Sequence, residues 1–221
     1  MKPAVTVVVP YHRARVASGM LGTCLWSLRA QTGTPTLLVL PMEDVGGRGA
    51  WWPRQQGLVA ADTPYVAYLD SDDWAYPDHI ATLYWAAVKA GADYVYSYFT
   101  IHDMWEGSRP DLDPIGVFGR PFNVERPHQT TSTILIRRDA VMDAGIQWRD
   151  VSADRKIPGT ELRWGEDLDF TLQCAASRLT FLHVPRRTWA WRVGTHNTSG
   201  LPDRGDAVGG DHARHDDEGG G

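Results

Sequence analysis

The 221-residue sequence predicts an α/β fold: a single domain with a mostly parallel central sheet flanked by helices, and short antiparallel strands late in the chain. Three observations carry this. The first hundred residues alternate strand-like and helix-like segments in the order β-α-β-α-β-α-β, which places helices on both faces of a parallel sheet. Val5-Thr-Val-Val-Val9 is a continuous β-branched run, as a strand buried on both faces requires. No internal repeat is present, and no apolar run approaches the ~20 residues needed to span a bilayer.

Each element follows from a local pattern. The first strand, Ala4 to Val9, ends at Pro10-Tyr-His-Arg13. Leu21, Cys24, Leu25 and Leu28 form a helical stripe within Leu21 to Ala30. Thr36 to Leu40 is a second strand, stopped by Pro41, and Gly46 to Gly49 is a loop. Pro53 to Ala61 reads as a helix with proline near its first turn. Tyr65 to Leu69 is the third strand. Pro77 to Ala90 is a helix that Gly91 stops, and Ala92 to Thr100 is the fourth strand.

Beyond Ile101 the pattern breaks. His102 to His128 and Trp148 to Trp164 read as long loops, which in a domain of this size are usually functional. Between them lie a strand, Ser132 to Ile136, and a helix, Arg138 to Ala144. A further helix, Glu166 to Ser177, precedes two short strands, Thr180 to Val184 and Thr188 to Arg192. From Pro202 the chain is Gly, Asp and His without periodicity, the composition of a disordered tail. The expected domain therefore covers residues 1–201, and 202–221 form the tail.

Composition excludes some classes. A formal net charge of -5 argues against a broad nucleic-acid-binding surface. The two cysteines lie in helix-like apolar patterns without metal spacing, as buried thiols of a reducing compartment do. Met1-Lys-Pro runs straight into the first strand, so a cytoplasmic protein is expected. There is no Walker-type loop and no Gly-x-Gly-x-x-Gly after the first strand, which disfavours P-loop nucleotidases and dinucleotide oxidoreductases. Gly-x-Ser-x-Gly is also absent.

Three constellations suggest chemistry. The third strand runs into Asp70-Ser-Asp-Asp73. Carboxylates this close raise one another's pKa unless cations or donors sit among them. Hard oxygen ligands suit Mg²⁺ or Mn²⁺, at the strand end where α/β sheets bind ligands. The alternative is a solvated turn, with Asp73 capping the way into the next helix. The second is Trp164-Gly-Glu-Asp167: Glu166 and Asp167 either satisfy a helix N-terminus or supply a general base, beside an apolar wall at Trp164. The third is the segment Arg192 to Ser199, where His196 is either an exposed loop histidine or a metal ligand. Arg54 is either a surface arginine or a phosphate contact.

In this order, the segments resemble the family 2 glycosyltransferases. Val5 to Arg13 is similar to the family's opening strand and Pro-Thr-Tyr-Asn-type turn. Leu25 to Gln31 looks like its Ser-Leu-x-x-Gln helix end, and Pro53-Arg-Gln-Gln-Gly57 like its Ala-Arg-Asn-x-Gly element. Leu69 to Trp74 looks like the Asp-x-Asp motif, Gly165-Glu-Asp167 like the Glu-Asp motif, and Trp191 to Ser199 like the closing Tyr-Arg-x-His…Ser segment. The resemblance covers roughly residues 4 to 200.

It implies a Rossmann-like, A-type glycosyltransferase fold with a nucleotide-sugar half (about 1–100) and an acceptor half (about 101–201). It implies metal-dependent, inverting transfer of a sugar from a nucleotide-diphosphate sugar, UDP-sugar favoured, to an acceptor hydroxyl. Pro10, Tyr11, Arg13, Glu43, Asp44, Arg54, Asp70 and Ser71 would bind the donor. Asp72, Asp70 and His196 would hold Mn²⁺ or Mg²⁺. Asp167 would be the general base, with Glu166 supporting it or meeting the acceptor, and Trp105 and Trp164 would line the acceptor site. The acceptor would be a glycan, a lipid-linked sugar, a small molecule or a modified nucleic-acid base. One departure stands out: Leu38-Val-Leu-Pro-Met-Glu-Asp44 replaces the family's Val-Asp-Asp-Gly-Ser-type turn. A sugar- or partner-binding module and a sugar-phosphate nucleotidyltransferase are the competing readings.

Overall fold

The computed structural model describes residues 2–103, 107–108, 121–123, 130–151 and 165–193. The expected tail lies outside them, as does most of each long loop. The elements are β1 (Val5–Tyr11), α1 (Arg13–Ala17), α2 (Met20–Arg29), β2 (Leu37–Glu43), α3 (Trp51–Ala60), β3 (Tyr65–Tyr68), β4 (Trp74–Ala75), α4 (His79–Ala90), β5 (Tyr94–Asp103), β6 (Gly107–Ser108), β7 (Ile134–Arg137), α5 (Arg138–Asp143), α6 (Glu166–Ala176) and β8 (Phe181–Val193).

One sheet runs in the order β2-β1-β3-β7-β5-β8-β4, with β6 on β5. β1 is parallel to β2 and β3, and β5 is parallel to β8. β7 is antiparallel to both neighbours, as are β4 on β8 and β6 on β5. The expectation of a mostly parallel sheet therefore holds only in part: β1, β2, β3, β5 and β8 share a direction, and β7 opposes them at the centre. A parallel neighbour needs a crossover that carries the chain back to the starting edge. β3 reaches β5 that way through α4. β7 starts at the edge where β5 ends, so it fills the gap between them in the opposite sense.

Two boundaries moved for physical reasons. β2 continues through Pro41 to Glu43, with Pro41 opposite Val9. It is an edge strand, where proline's missing N–H is tolerated. The two short late strands are one element: Val184 lies opposite Ser97 and Arg187 opposite Tyr98, so Pro185 and Arg186 bulge out of register.

The sheet's alternation divides the core. Val5, Val7 and Val9 pack with Leu21, Cys24 and Leu28 of α2 and with Ile80, Leu83 and Ala87 of α4. Val8 faces the other way, onto Leu58, Tyr68, Val141, Phe170 and Cys174, which brings α3, α5 and α6 to that face. Each of these valines is fully buried and contributes about 1.5–3 kcal/mol relative to exposure. α3 lies so close to β1 that a Cβ on Gly57 would stand 2.4 Å from a Val8 methyl. The glycine of the Arg-Gln-Gln-Gly segment is thus a packing requirement, and it sets where Arg54 points. Both cysteines are free and buried.

Candidate active site

β1 and β3 are parallel neighbours, with Val8 opposite Tyr68, so the residues following each strand meet at one sheet edge. After β3 the chain turns through Leu69 to Asp73, closed by the Asp73 N–H on the Asp70 carbonyl at 3.0 Å. A cavity of about 310 Å³ opens there, lined by this turn, the end of β1, the start of α3 and the start of α6. Of the expected residues, Pro10, Tyr11, Asp44, Arg54, Asp70, Ser71, Asp72, Glu166 and Asp167 line it together. Arg13 and Glu43 instead pair with each other at 3.0 Å, with the Arg13 side chain 90% exposed, and neither faces the cavity. Trp105, Trp164 and His196 lie outside the described residues.

Arg54 joins the two acidic segments. Its Nη2 donates to Asp70 Oδ1 at 2.7 Å, and its Nη1 donates to Glu166 Oε1, 112 residues away, also at 2.7 Å. Its side chain is 4% exposed, which excludes a surface arginine. Burial works against its charge, but Asp70 and then Glu166 outweigh that and raise its pKa. The guanidinium lies 5.0 Å over the Trp148 ring, and Trp148 stacks on Phe170 of α6 at 4.1 Å. A bidentate Arg149–Asp169 pair, at 2.7 and 2.8 Å, fixes the same helix.

Each acid of the first turn has its own partner. Asp70 Oδ2 accepts from Ser132 at 2.7 Å. Asp72 Oδ2 meets Arg15 Nη2 at 2.8 Å. Asp73 Oδ1 accepts the Arg192 backbone N–H at 2.8 Å. Asp73 therefore ties the turn to β8 and does not cap α4, whose N-cap residue is Asp78. Burial, and next the Asp70 charge, push the Asp72 pKa up, against the pull of Arg15. Burial pushes Asp73 further up, with Asp72 and Asp70 adding to it.

At α6 the same residue type meets a different environment. Glu166, Asp167 and Asp169 occupy the first helical turn, where the dipole favours negative charge. The Leu168 N–H donates to Asp167 Oδ1 at 2.8 Å. The residue before the pair, Gly165, leaves room for it: a Cβ there would lie 2.7 Å from Asp167 Oδ1.

Whether a divalent ion fits can be judged from these partners. Among the described residues, no group of three metal-ligating side chains is assembled. The cavity nevertheless collects the carboxylates of Asp70, Asp72, Asp73, Glu166 and Asp167 beside the guanidiniums of Arg15 and Arg54. Burial is the main cause of the raised Asp72 and Asp73 pKa values, and the neighbouring acids add to it, against the pull of Arg15 on Asp72 and of Arg192 on both. Hard carboxylate oxygens are the donor type that Mg²⁺ or Mn²⁺ takes, and Asp72, at the cavity wall, would be the residue to hold such an ion.

Sequence reasoning missed Arg15, Ser132 and Trp191, all of which line the cavity. α1 is too short to show periodicity, and Ser132 was read as the start of a strand. One signal existed for Arg15: a basic segment after the first strand must face an acidic turn after a parallel neighbour.

The sequence profile described as Glycosyl transferase family 2 matches residues 46–144, from the glycine loop through α5. Solved structures of S. aureus TarS share the fold. The first is 16% identical, with a TM-score of 0.63, covering 86% of this chain and 37% of that one. TarS 1-349 in complex with UDP is 15% identical, with a TM-score of 0.63 and coverage of 86% and 60%. TarS 1-349 in complex with UDP-GlcNAc is 14% identical, with a TM-score of 0.65 and coverage of 90% and 62%. The chain spans less than two thirds of the length of these TarS chains. No curated protein matches it. The resemblance to the family 2 glycosyltransferases is thus borne out, by the family profile over residues 46–144 and by the fold over most of the chain.

Proposed function

We propose that the chain is a metal-dependent, inverting glycosyltransferase that moves a sugar from a nucleotide-diphosphate sugar, a UDP-sugar in the first instance, to an acceptor hydroxyl. One observation carries the reading: a single cavity holds an acidic strand-end turn and the Glu166-Asp167 pair, clamped at 2.7 Å on each side by Arg54. The TarS complexes with UDP and with UDP-GlcNAc support a donor of that class.

In this mechanism Pro10, Tyr11 and Asp44 border the nucleoside. Asp44 also accepts the N–H groups of Arg48 and Gly49, each at 2.9 Å, so it shapes the glycine loop beside the base. Asp70, fixed by Arg54 and Ser132, bounds the ribose–diphosphate region. Asp72, together with His196, would hold Mn²⁺ or Mg²⁺, which supplies Lewis-acid stabilisation of the leaving diphosphate. Asp167 takes the proton of the acceptor hydroxyl. The acceptor oxygen then bonds to the anomeric carbon as that carbon's bond to the diphosphate oxygen breaks, and the diphosphate leaves with the electron pair. Glu166 holds Arg54 and so positions the base helix against the donor turn. The acceptor is a glycan, a lipid-linked sugar, a small molecule or a modified base. No helix among the described residues is long and apolar enough to cross a membrane. The two buried free thiols suit the cytoplasm.

The test is release of free nucleoside diphosphate from a panel of UDP- and GDP-sugars with Mn²⁺. We expect turnover with at least one donor and its loss on adding EDTA. Tight donor binding without turnover, on any acceptor class, would return the binding-module reading.

A further inference from the structure

The donor side of the cavity contains a cation that none of the sequence motifs assigns. Arg15 sits in α1, directly after β1, and lines the cavity. Its side chain is 11% exposed and that of Asp72 is 13% exposed, with Nη2 and Oδ2 at 2.8 Å. Its Nη1 donates to Met20 Sδ at 3.1 Å, a weak acceptor. The other two acids of the turn are held differently, Asp70 by Arg54 and Ser132, and Asp73 by a backbone N–H. The carboxylate proposed to bind the divalent ion is therefore already paired with a guanidinium of its own, Arg15.

A divalent ion and a guanidinium on one part-buried carboxylate repel each other strongly. The ion must displace Arg15 from Asp72, and the displaced guanidinium needs a new anion. A bound diphosphate would supply one in the same cavity, in a geometry that arginine recognises well. Resting on the metal-dependent reading above, we propose that Arg15 is the resident counter-cation of Asp72 and passes to the donor diphosphate when the metal arrives, so that metal and donor bind cooperatively. The coupling is reciprocal: each ligand tightens the other by the same factor.

The experiment titrates the full chain with Mn²⁺, following the free-ion EPR signal, alone and with saturating UDP or GDP. Wild type is compared with Arg15→Met, whose unbranched apolar stem keeps the packing on Met20, and with Arg15→Lys. We expect Arg15→Met to bind Mn²⁺ alone about tenfold tighter than wild type and to lose most of the nucleotide-induced tightening. Arg15→Lys, which retains a charge, should keep more of that tightening than Arg15→Met. A merely structural arginine would give the opposite first result, because its loss would weaken Mn²⁺ binding and nucleotide binding together. Unchanged Mn²⁺ affinity in Arg15→Met, or a lysine variant with less coupling than the methionine variant, would overturn the proposal. If wild type takes up no Mn²⁺ even with nucleotide, the metal assignment itself falls and Arg15's role falls with it. Nucleotide-coupled Mn²⁺ uptake that Arg15→Met leaves unaltered would retain the metal and remove only Arg15's part.

Discussion

The two acidic segments, Asp70 to Asp73 and Glu166 to Asp169, look alike as strings of carboxylates but are neutralised in different ways. The turn after β3 concentrates its acids outside any helix, and each has an individual donor: Arg54 and Ser132, Arg15, or the Arg192 N–H. Even so, burial raises the pKa values of Asp72 and Asp73, and the neighbouring acids add to it. The start of α6 presents its acids to its own helix N-terminus, which favours negative charge, and Arg54 for Glu166 and Arg149 for Asp169 add to that. The difference teaches that position on the backbone, more than residue type, decides how an acidic cluster is neutralised.

The sharpest way to separate the two regions is Asp167→Asn. Transfer should fall by about 10²–10⁴-fold, while nucleotide affinity stays within about twofold, because the donor turn is untouched. Turnover assays paired with calorimetry check this, and equal loss of both would place Asp167 with the donor. Next is Arg54→Met, which breaks the clamp between the regions. Removing one partner of a buried ionic network costs about 3 kcal/mol or more, here leaving Asp70 and Glu166 without their cation. Denaturant unfolding should show that loss, and Arg54→Lys should recover only part of it, since lysine lacks the fork that reaches both acids.

Gly57→Ala tests the packing that positions Arg54. With a Val8 methyl 2.4 Å from the added Cβ, overpacking should cost about 1–3 kcal/mol, read as a lowered melting temperature. Movement of α3 would also loosen the clamp. An unchanged melting temperature would mean that α3 lies farther from β1.

A pH-dependent effect concerns the link between α4 and β8. His79 is fully buried, with Nδ1 at 2.7 Å from Thr188 Oγ1 of β8, and burial lowers its pKa to about 3. The unfolded chain binds a proton at this histidine from its ordinary pKa of about 6.5, whereas the folded protein does not until about 3. Its contribution is therefore complete above pH 6.5 and is lost as pH falls toward 3, with a limiting slope of about 1.4 kcal/mol per pH unit. His79→Gln should remove that component between pH 6 and 4. Unfolding measured across this range in both proteins decides it.

Much of the frame was readable from local chemistry. The β-branched run at Val5 to Val9, the helical stripe ending at Gln31 and the Gly91 stop each produced the expected element, within a few residues. That Asp70, Asp72, Arg54, Glu166 and Asp167 share one cavity was implied only by the family resemblance, because local chemistry left each of them a structural alternative. The pairing of Arg13 with Glu43 away from that cavity was not readable, since both residues match a donor-site pattern equally well in sequence.

By itself, then, the sequence determined which segments are strands and helices and which of their ends carry charge, because periodicity, proline, glycine and β-branching act over a few residues. Only the tertiary structure decided that β7 enters the sheet centre antiparallel, that Pro41 sits within an edge strand, that Arg54 spans two motifs 112 residues apart and that Arg15 takes Asp72. Those outcomes depend on which ends of distant elements meet, and a buried charge accepts whatever partner the closed fold brings within about 3 Å.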